Sequence, residues 1–272
     1  MILTDYLING QQLTGEHSSL IVGTTHFTSI SPRINSVTVN GRNGVMLPAG
    51  PVAFDAPEIT LKFITDGSGA DALMHRFYRL CRLASELTRV ERDTVSGLTR
   101  RMTASAVCTS CQPDGDEIPW DDHRAATAVF QLPDVYWQGD WQTASLPASG
   151  GVFLFGNAKT GSEGWNSNAP LLNLILRFSD VSSVTMSDPV TGTDIKWNGP
   201  NASNLYLDAG NRRAWTAEDR DSWTGGTDVT SGVDWTSEPL QVWPAIDSGS
   251  YTLRIKQSGT SAVTCRFKPS WE

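Results

Sequence analysis

The chain has 272 residues, of which 39% are hydrophobic, enough for one large or two ordinary domains with their own cores. Its 29 acidic and 21 basic residues give a net charge of −8, which argues against specific adhesion to nucleic acid or anionic membrane, since both depend on clustered Lys and Arg. The N-terminus lacks a basic signal region, no apolar run approaches the ~20 residues of a transmembrane helix, and four scattered cysteines favour assembly in a reducing cytoplasm.

The N-terminal half is predicted to consist of short strands joined by tight turns. Asn-Gly pairs at positions 9, 40 and 43 tolerate positive φ and often close hairpins. Residues Glu58–Thr65 place Ile59, Leu61 and Phe63 on one face, which predicts a strand with one buried side. Ala126–Leu132 shows the same alternation and predicts a second strand of this kind.

The stretch Asp71–Leu87 has the period of an amphipathic helix. Asp71 stands where its carboxylate could cap the first turn. The apolar face predicted from steps of three and four residues comprises Leu73, Phe77, Leu80, Ala84 and Leu87. A single amphipathic helix must bury such a face, and because its neighbours look like strands we expect it to pack on a sheet.

The other face of this predicted helix is basic. Arg76, Arg79 and Arg82 form a strip, together with His75, in a chain that is otherwise acidic. Two interpretations stay open for the strip: a solvated helix face, or a contact with a neighbouring subunit. The acidic segment Asp114–Asp122 is one that a neighbour could present to it.

Residues Leu98–Cys111 predict a strand pair or an extended arm that ends in a Cys-x-x-Cys motif, Cys108 and Cys111. The motif supplies half of a zinc site, but the sequence has no second pair of ligands at metal-binding spacing. It does not open a helix in a βαβ unit, as a redox motif of this kind does. We therefore expect two buried or half-buried thiols, with no metal and no cofactor.

A Ser-, Gly- and Pro-containing stretch, Ser145–Gly151, predicts a domain boundary that divides the chain into residues 1–146 and 147–272. Leu171–Phe178 is then apolar on both faces, as in the central strand of a sandwich. Alternating segments on either side of a Ser-Gly-Thr-Ser turn, Tyr251–Lys256 and Ala262–Lys268, predict a hairpin. The second half is therefore predicted to be an antiparallel β-sandwich or jelly roll.

The second half is also rich in tryptophan. Trp215, Trp223 and Trp235 fall in a loop-rich stretch, Ala209–Pro239, where exposed rings could stack on sugars. Core or interface anchoring is an equally ordinary role for indoles. The four histidines lie in no recognisable nucleophile context and no hydrolase motif is present, so no catalytic residue is predicted.

The order of these features resembles that of the distal tail proteins of long, non-contractile-tailed phages, often called minor tail proteins. The shared phrases begin with an Asn/Gly-rich loop at Val39–Gly50, followed by the strand Glu58–Thr65 and the helix. In the strand ending at Ala128–Trp141 the family has a D-P-Y/F-W-like phrase. Here Asp134, Tyr136 and Trp137 match that phrase, while Val135 stands in the proline position.

The second half is similar to the galectin-like sandwich of the same family. The phrases that carry this similarity are Phe155–Gly161, Pro170–Asp180, Asp188–Trp197, Asn204–Trp215 and Ser248–Gly259. The resemblance covers nearly the whole chain. It implies a mainly β protein: an N-terminal β-sandwich-like ring domain with one α-helix, followed by a galectin-like or jelly-roll antiparallel β-sandwich.

The resemblance also implies a structural role in the virion and no catalysis. Such proteins form a homohexameric ring from their N-terminal domains, which joins the tail tube to the tail-tip hub or fibre protein. Their C-terminal sandwiches project outward, where they dock receptor-binding proteins or bind host glycans. The alternative from a different class is a carbohydrate-binding module, which the sandwich pattern and the tryptophans favour.

Overall fold

A computed structural model of the chain describes residues 2–26, 28–33, 36, 38, 40, 43, 53–115, 122–153, 167–235, 240–245 and 250–272. Two compact units are present: Met1–Gln138 with Glu272, and Gly139–Trp271. The described residues are mainly in antiparallel β-strands and include a single α-helix. The predicted mainly β fold class is therefore confirmed.

The described residues of the first unit form nine strands and the helix. In chain order they are β1 (Ile2–Ile8), β2 (Gln11–Gln12), β3 (Ser18–Leu20), β4 (Glu58–Asp66), α1 (Ala70–Arg82), β5 (Glu86–Asp93), β6 (Thr99–Ser105), β7 (Val107–Asp114), β8 (His123–Gln131) and β9 (Trp137–Gln138). One sheet has the order β9-β6-β5-β1-β2 and the other β3-β4-β8-β7. Most of the predicted loop at Val39–Gly50 and most of Asp114–Asp122 lie outside the described residues.

The predicted alternation of buried and exposed residues in β4 and β8 is confirmed. In β4 the residues Ile59, Leu61 and Phe63 are buried, and the partner residues Phe130 and Ala128 of β8 face them across the sheet. Helix α1 packs on this apolar face, where the ring of Phe77 stacks on that of Phe63 with centroids 4.3 Å apart. The helix thus buries its apolar side on a sheet, as its sequence predicts.

The buried side of α1 is rotated from the predicted one. The buried residues are Ala70, Met74, Phe77 and Cys81, so that only Phe77 is shared with the prediction. Leu73 and Leu80 are half-buried. Both sets satisfy the same 3.6-residue period, so the period alone does not decide which side faces the sheet.

The helix is also shorter than predicted, because a distant residue ends it. Asn9, at φ 49°, donates from its amide to the carbonyl of Leu83 at 2.7 Å and accepts from the backbone N–H groups of Ser85 and Glu86 at 3.0 Å. The asparagine therefore satisfies the last turn of α1 and begins β5. Leu87, predicted to be helical, is a buried residue of β5.

Asp71 does not cap the helix. The N-cap residue is Gly69, and it makes no side-chain capping hydrogen bond. Asp71 lies within the first turn, where its carboxylate accepts a 2.7 Å hydrogen bond from Arg124 of β8. The carboxylate still lies at the end of the helix dipole that favours negative charge.

The segment Leu98–Cys111 forms two strands, as one of its two interpretations predicts, but they belong to different sheets. β6 pairs with β5, whereas β7 pairs with β8. On β5 the sheet buries charge: Arg89 and Glu91 are 3% and 2% exposed, and Glu91 forms ion pairs with Arg89 and Arg100. Buried charges persist where each has a partner.

The backbone conformation at Val135 explains why this chain lacks the proline of the D-P-Y/F-W-like phrase. Its φ is 68°, and the N–H of Tyr136 donates to the carbonyl of Asp134 at 2.8 Å, which makes a γ-turn. Proline is locked near φ −65° and could not adopt this turn. The rings of Tyr136 and Trp137 are buried directly after it.

Ten strands lie in the described part of the second unit. They are β10 (Gln142–Leu146), β11 (Gly150–Phe153), β12 (Leu174–Ser187), β13 (Asp194–Asp208), β14 (Arg213–Ala217), β15 (Thr227–Asp228), β16 (Val233–Trp235), β17 (Tyr251–Gln257), β18 (Val263–Phe267) and β19 (Ser270–Trp271). β10 pairs with β18 along its length, so the transition between units lies at Gln138–Gly139, before the predicted boundary at 146/147.

Two long strands organise this sandwich. β12 and β13 pair with each other over 14 and 15 residues, with a register shift between Val181 and Ser183. On one side of the shift they are flanked by β18 and β14, and on the other by β17 and β16. Strands that pass from one layer to the other at a bulge make the corners of a sandwich. The apolar core fills the space between the layers.

The predicted C-terminal hairpin is wrong. Both strands exist and alternate as predicted, but β17 pairs with the end of β12 at Val184–Ser187 and β18 with its start at Leu174–Arg177. The predicted turn instead crosses between the layers. The apolar stretch Leu171–Phe178, in contrast, supplies the start of the central strand β12, as predicted.

Candidate functional site

The arginine strip of α1 divides between two faces. At about 100° per residue, Arg79 and Arg82 share a helix face with His75 and Tyr78, whereas Arg76 lies on the flank. Arg79 and Arg82 are exposed and Arg76 is half-buried. The structure therefore brings two of the three predicted arginines together.

These two arginines line an open groove between α1 and β7. Its volume is about 920 Å³. Its lining residues are Ala72, His75, Tyr78, Arg79, Arg82, Cys108, Thr109, Ser110, Cys111 and Pro113. The groove combines cations from the helix with hydroxyls and thiols from the strand, which suits an anionic or polar occupant.

The strand side of the groove ends in the predicted acidic segment. Asp114, the last residue of β7, accepts a hydrogen bond from the Thr127 hydroxyl at 2.5 Å. Burial raises the pKa of Tyr78, with smaller contributions from Cys111 and Asp114. The phenol is therefore neutral beside the arginines at neutral pH.

Sequence reasoning missed the third thiol of this region. Cys81 of α1 is buried and hydrogen-bonds to Cys111, and Cys108 lies beside them. The signal that could have found it is its position four residues after Phe77, on the side of the helix that meets the sheet. Among the residues described, no group of three or more His, Cys, Asp or Glu side chains is arranged to hold a metal ion.

The three predicted glycan-stacking tryptophans do not share a site. Trp215 is 3% exposed and stacks on Tyr206 at a centroid distance of 5.3 Å with an interplanar angle of 3°. Trp223 is half-buried and meets Tyr206 edge-on at 5.4 Å. Trp235 instead packs against the main core of the sandwich, with its Nε1–H donating to the carbonyl of Thr230 at 3.3 Å.

A segment of the second unit covers the face that carries Trp215. The Nε1–H of Trp215 donates to the carbonyl of Ser222 at 2.7 Å, and the hydroxyl of Tyr206 donates to that of Asp219 at 3.0 Å. Arg177 donates to the carbonyl of Arg220 at 2.8 Å. These bonds hold the segment over the sheet, so Trp215 offers no free ring face.

A smaller cavity of about 320 Å³ lies elsewhere in the second unit. The tryptophan that lines it is Trp197, which is 2% exposed, and Glu218 is the charged residue on its wall. The described part of the chain contains no helix long and apolar enough to cross a membrane.

Comparison with protein-family models and with curated proteins gave no match. Among solved structures, the chain is similar to the Dit protein of phage SPP1, described as a paradigm of the hub adsorption apparatus in phages that infect Gram-positive bacteria. The TM-score is 0.63 at 17% identity, covering 99% of this chain and 100% of that one. A chain of the phage p2 baseplate in its activated conformation is also similar, with a TM-score of 0.40 at 10% identity and 98% of each chain covered.

The similarity to the SPP1 protein confirms the resemblance to distal tail proteins at the level of fold. It includes both units, since nearly all of each chain is covered. Low identity over a shared fold leaves the function to be argued from the surfaces.

Proposed function

We propose that the chain is a structural, non-catalytic distal tail protein of a long, non-contractile-tailed phage. In this proposal it forms a homohexameric ring that joins the tail tube to the tail-tip hub or fibre protein. The observation that carries the proposal is the correspondence with SPP1 Dit over 99% of this chain and 100% of that one. A carbohydrate-binding module would account for the sandwich alone, whereas this likeness spans both units.

The first unit supplies a surface suited to ring formation. A closed ring of identical subunits needs two different, mutually complementary patches on each subunit. The exposed Arg79 and Arg82, with Arg76 on the flank, form one charged patch on a chain whose net charge is −8. Complementary charge of this kind fixes partner and register more than affinity.

The second unit is the proposed outward arm, which docks receptor-binding proteins or meets host glycans. Because Trp215 is covered, glycan stacking would fall to the half-buried Trp223 and Trp235. A glycan array with the wild-type chain and Trp223→Ala tests this arm. Binding that Trp223→Ala removes would support glycan contact, and silence across bacterial wall glycans would favour protein docking.

The location that follows is the distal end of the virion tail, after assembly in the host cytoplasm. A ring at that place lies on the path of the genome. An acidic chain suits such a channel because DNA phosphates gain no neutralising contacts from it. Specific nucleic-acid binding is therefore not part of the proposal.

Native mass spectrometry of the full chain, alone and with the tube and hub proteins, tests the ring. Hexamers in either condition are the expected result. Arg79→Glu with Arg82→Glu should weaken the assembly without unfolding the subunit. The matched control is Arg92→Glu with Arg101→Glu, which reverses two exposed arginines of the other sheet of the same unit.

Two results would contradict the proposal at different levels. A chain that stays monomeric with both tail partners present would overturn the ring itself. If the variant with Arg79→Glu and Arg82→Glu forms hexamers as well as the control variant does, the α1 arginines do not make the ring contact. Circular dichroism of each variant establishes that the subunit is folded.

A further inference from the structure

The two cysteines of β7 lie on the same face of the strand, which is unusual for residues three apart. In a regular strand such residues point to opposite faces. Here the register shifts between Cys108 and Ser110, so that Cys108 lies opposite Phe130 and Cys111 opposite Ala128. Both partners belong to the buried face on which α1 packs. The bulge thus turns both thiols towards the helix.

Helix α1 supplies a third thiol to the same place. Cys81 is 1% exposed and lies on the buried side of the helix. Its thiol interacts with the sulfurs of both Cys111 and Cys108, and the interaction with Cys111 is the stronger one. The thiol of Cys108 also donates to the carbonyl of Ser110 at 3.2 Å. Cys81 and Cys111 are therefore the more strongly coupled pair of sulfurs.

Access and acidity distinguish the two members of this pair. Cys111 is half-buried and lines the groove, whereas Cys81 is enclosed. The hydrogen bond from Cys81 lowers the pKa of Cys111, against the opposing effect of burial. The same hydrogen bond and burial raise the pKa of Cys81. Cys111 is consequently the more nucleophilic and the more accessible sulfur.

We propose that Cys111 and Cys81 are an oxidisable thiol pair that reacts with small acidic disulfides, such as oxidised glutathione, entering the groove between α1 and β7. The cations Arg79 and Arg82 on the groove wall favour a carboxylate-bearing oxidant. The groove volume of about 920 Å³ lies within the range of small-molecule sites. This inference concerns the subunit before assembly, when the proposed ring contact through Arg79 and Arg82 has not formed and the groove is open.

The reaction takes two thiol–disulfide exchanges. The Cys111 thiolate attacks one sulfur of the oxidised glutathione and releases a glutathione thiolate, which leaves a mixed disulfide on Cys111. Cys81 then attacks the sulfur of Cys111, and its proton passes to the departing thiolate, which leaves as the second glutathione. Two protein thiols are oxidised by two electrons, one glutathione disulfide is reduced to two thiols, and the new bond joins α1 to β7.

The experiment uses the full chain with its four cysteines. It is incubated with oxidised glutathione, quenched by alkylation, digested and analysed by mass spectrometry. Cys265, buried in the second unit with a pKa raised by burial to about 11, is the internal reference. We expect a Cys81–Cys111 disulfide, with Cys111 reacting at least about tenfold faster than Cys265.

Single substitutions assign the two roles. Cys81→Ala should stop the reaction at the glutathione adduct of Cys111, and alanine leaves no unpaired hydroxyl in that buried place. Cys111→Ser should remove the fast reaction, and Cys108→Ser should leave the disulfide in place. A product dominated by Cys108–Cys111, or a rate for Cys111 no faster than that of Cys265, would overturn the proposal.

A change of oxidant tests the groove. Arg79→Gln with Arg82→Gln should slow the reaction with oxidised glutathione several-fold and leave that with the neutral hydroxyethyl disulfide unchanged. Arg92→Gln with Arg101→Gln should change neither rate. If the variant slows the two reactions equally, or slows neither, the groove arginines do not select the oxidant, and that part of the proposal is overturned.

Discussion

The helix face that carries Arg79 and Arg82 and the sheet face that carries Trp215 use their characteristic residues in opposite ways. The arginines are exposed on the wall of an open groove. Trp215 is stacked on Tyr206 and covered by the segment that ends at Trp223. From residue type alone, both faces are candidates for contact with another molecule. What separates them is whether the chain has already covered the face with its own backbone.

Removing the covered ring should have the largest effect. We expect Trp215→Ala to reduce the free energy of unfolding of the second unit by about 4–5 kcal/mol, because it deletes a buried ring that packs against Tyr206 and donates a hydrogen bond. Urea unfolding followed by circular dichroism measures this change. Trp223→Ala is the control at a half-buried ring, and an equal loss in both variants would contradict the comparison.

Substitutions on the buried side of α1 should also reduce stability strongly, as on the covered face around Trp215. Phe77→Ala removes a ring that is 1% exposed and stacked on Phe63, so we expect the first unit to lose about 3–4 kcal/mol while the second keeps its transition. Leu80→Ala, at a half-buried position, should cost clearly less. Differential scanning calorimetry of the full chain distinguishes the two transitions. A larger cost at Leu80 would mean that the predicted apolar face is the buried one.

The end of the helix should be sensitive to Asn9. Asn9→Ala removes bonds to Leu83, Ser85 and Glu86 and places alanine at positive φ, so a loss of about 2 kcal/mol is expected for the first unit. Amide hydrogen exchange should show faster exchange at the last turn of α1 and the first residues of β5. Unchanged exchange there would mean that the helix ends without this residue.

The exposed arginines should have the smallest effect on stability. Arg79→Ala with Arg82→Ala should change the free energy of unfolding by less than about 0.5 kcal/mol, because neither side chain is enclosed. Chemical denaturation beside the wild-type chain measures it. A loss near that of Phe77→Ala would show that the groove wall is part of the fold rather than a free surface.

Local patterns predicted the strands and the existence of the helix, because those depend on period alone. β4 and β8 alternate as their sequences indicate, and Leu171–Phe178 lies in a central strand. The rotation of α1 could not be predicted, since Leu73 and Leu80 fit the period as well as Met74 and Cys81 do. Tertiary packing on the sheet made that choice.

The remaining errors come from residues far apart in the sequence. Asn9 bonds to the residue that follows the helix, Leu83, across 74 positions of the sequence. The predicted hairpin is wrong because β17 and β18 each pair with β12, which precedes both of them in the sequence. The thiol pair depends on a bulge in β7 that only its pairing with β8 reveals.

The pairing of β10 with β18 has a consequence for the order in which the chain folds. These strands, Gln142–Leu146 and Val263–Phe267, lie at opposite ends of the second unit, so its sheet cannot be completed until the later strand has left the ribosome. The pairings of β1 with β5, β4 with β8, β5 with β6 and β7 with β8 all join residues before Gly139, so these strands can pair earlier. Distant pairings form slowly, and during that interval the apolar strands of the nascent sandwich have unpaired edges exposed to aggregation.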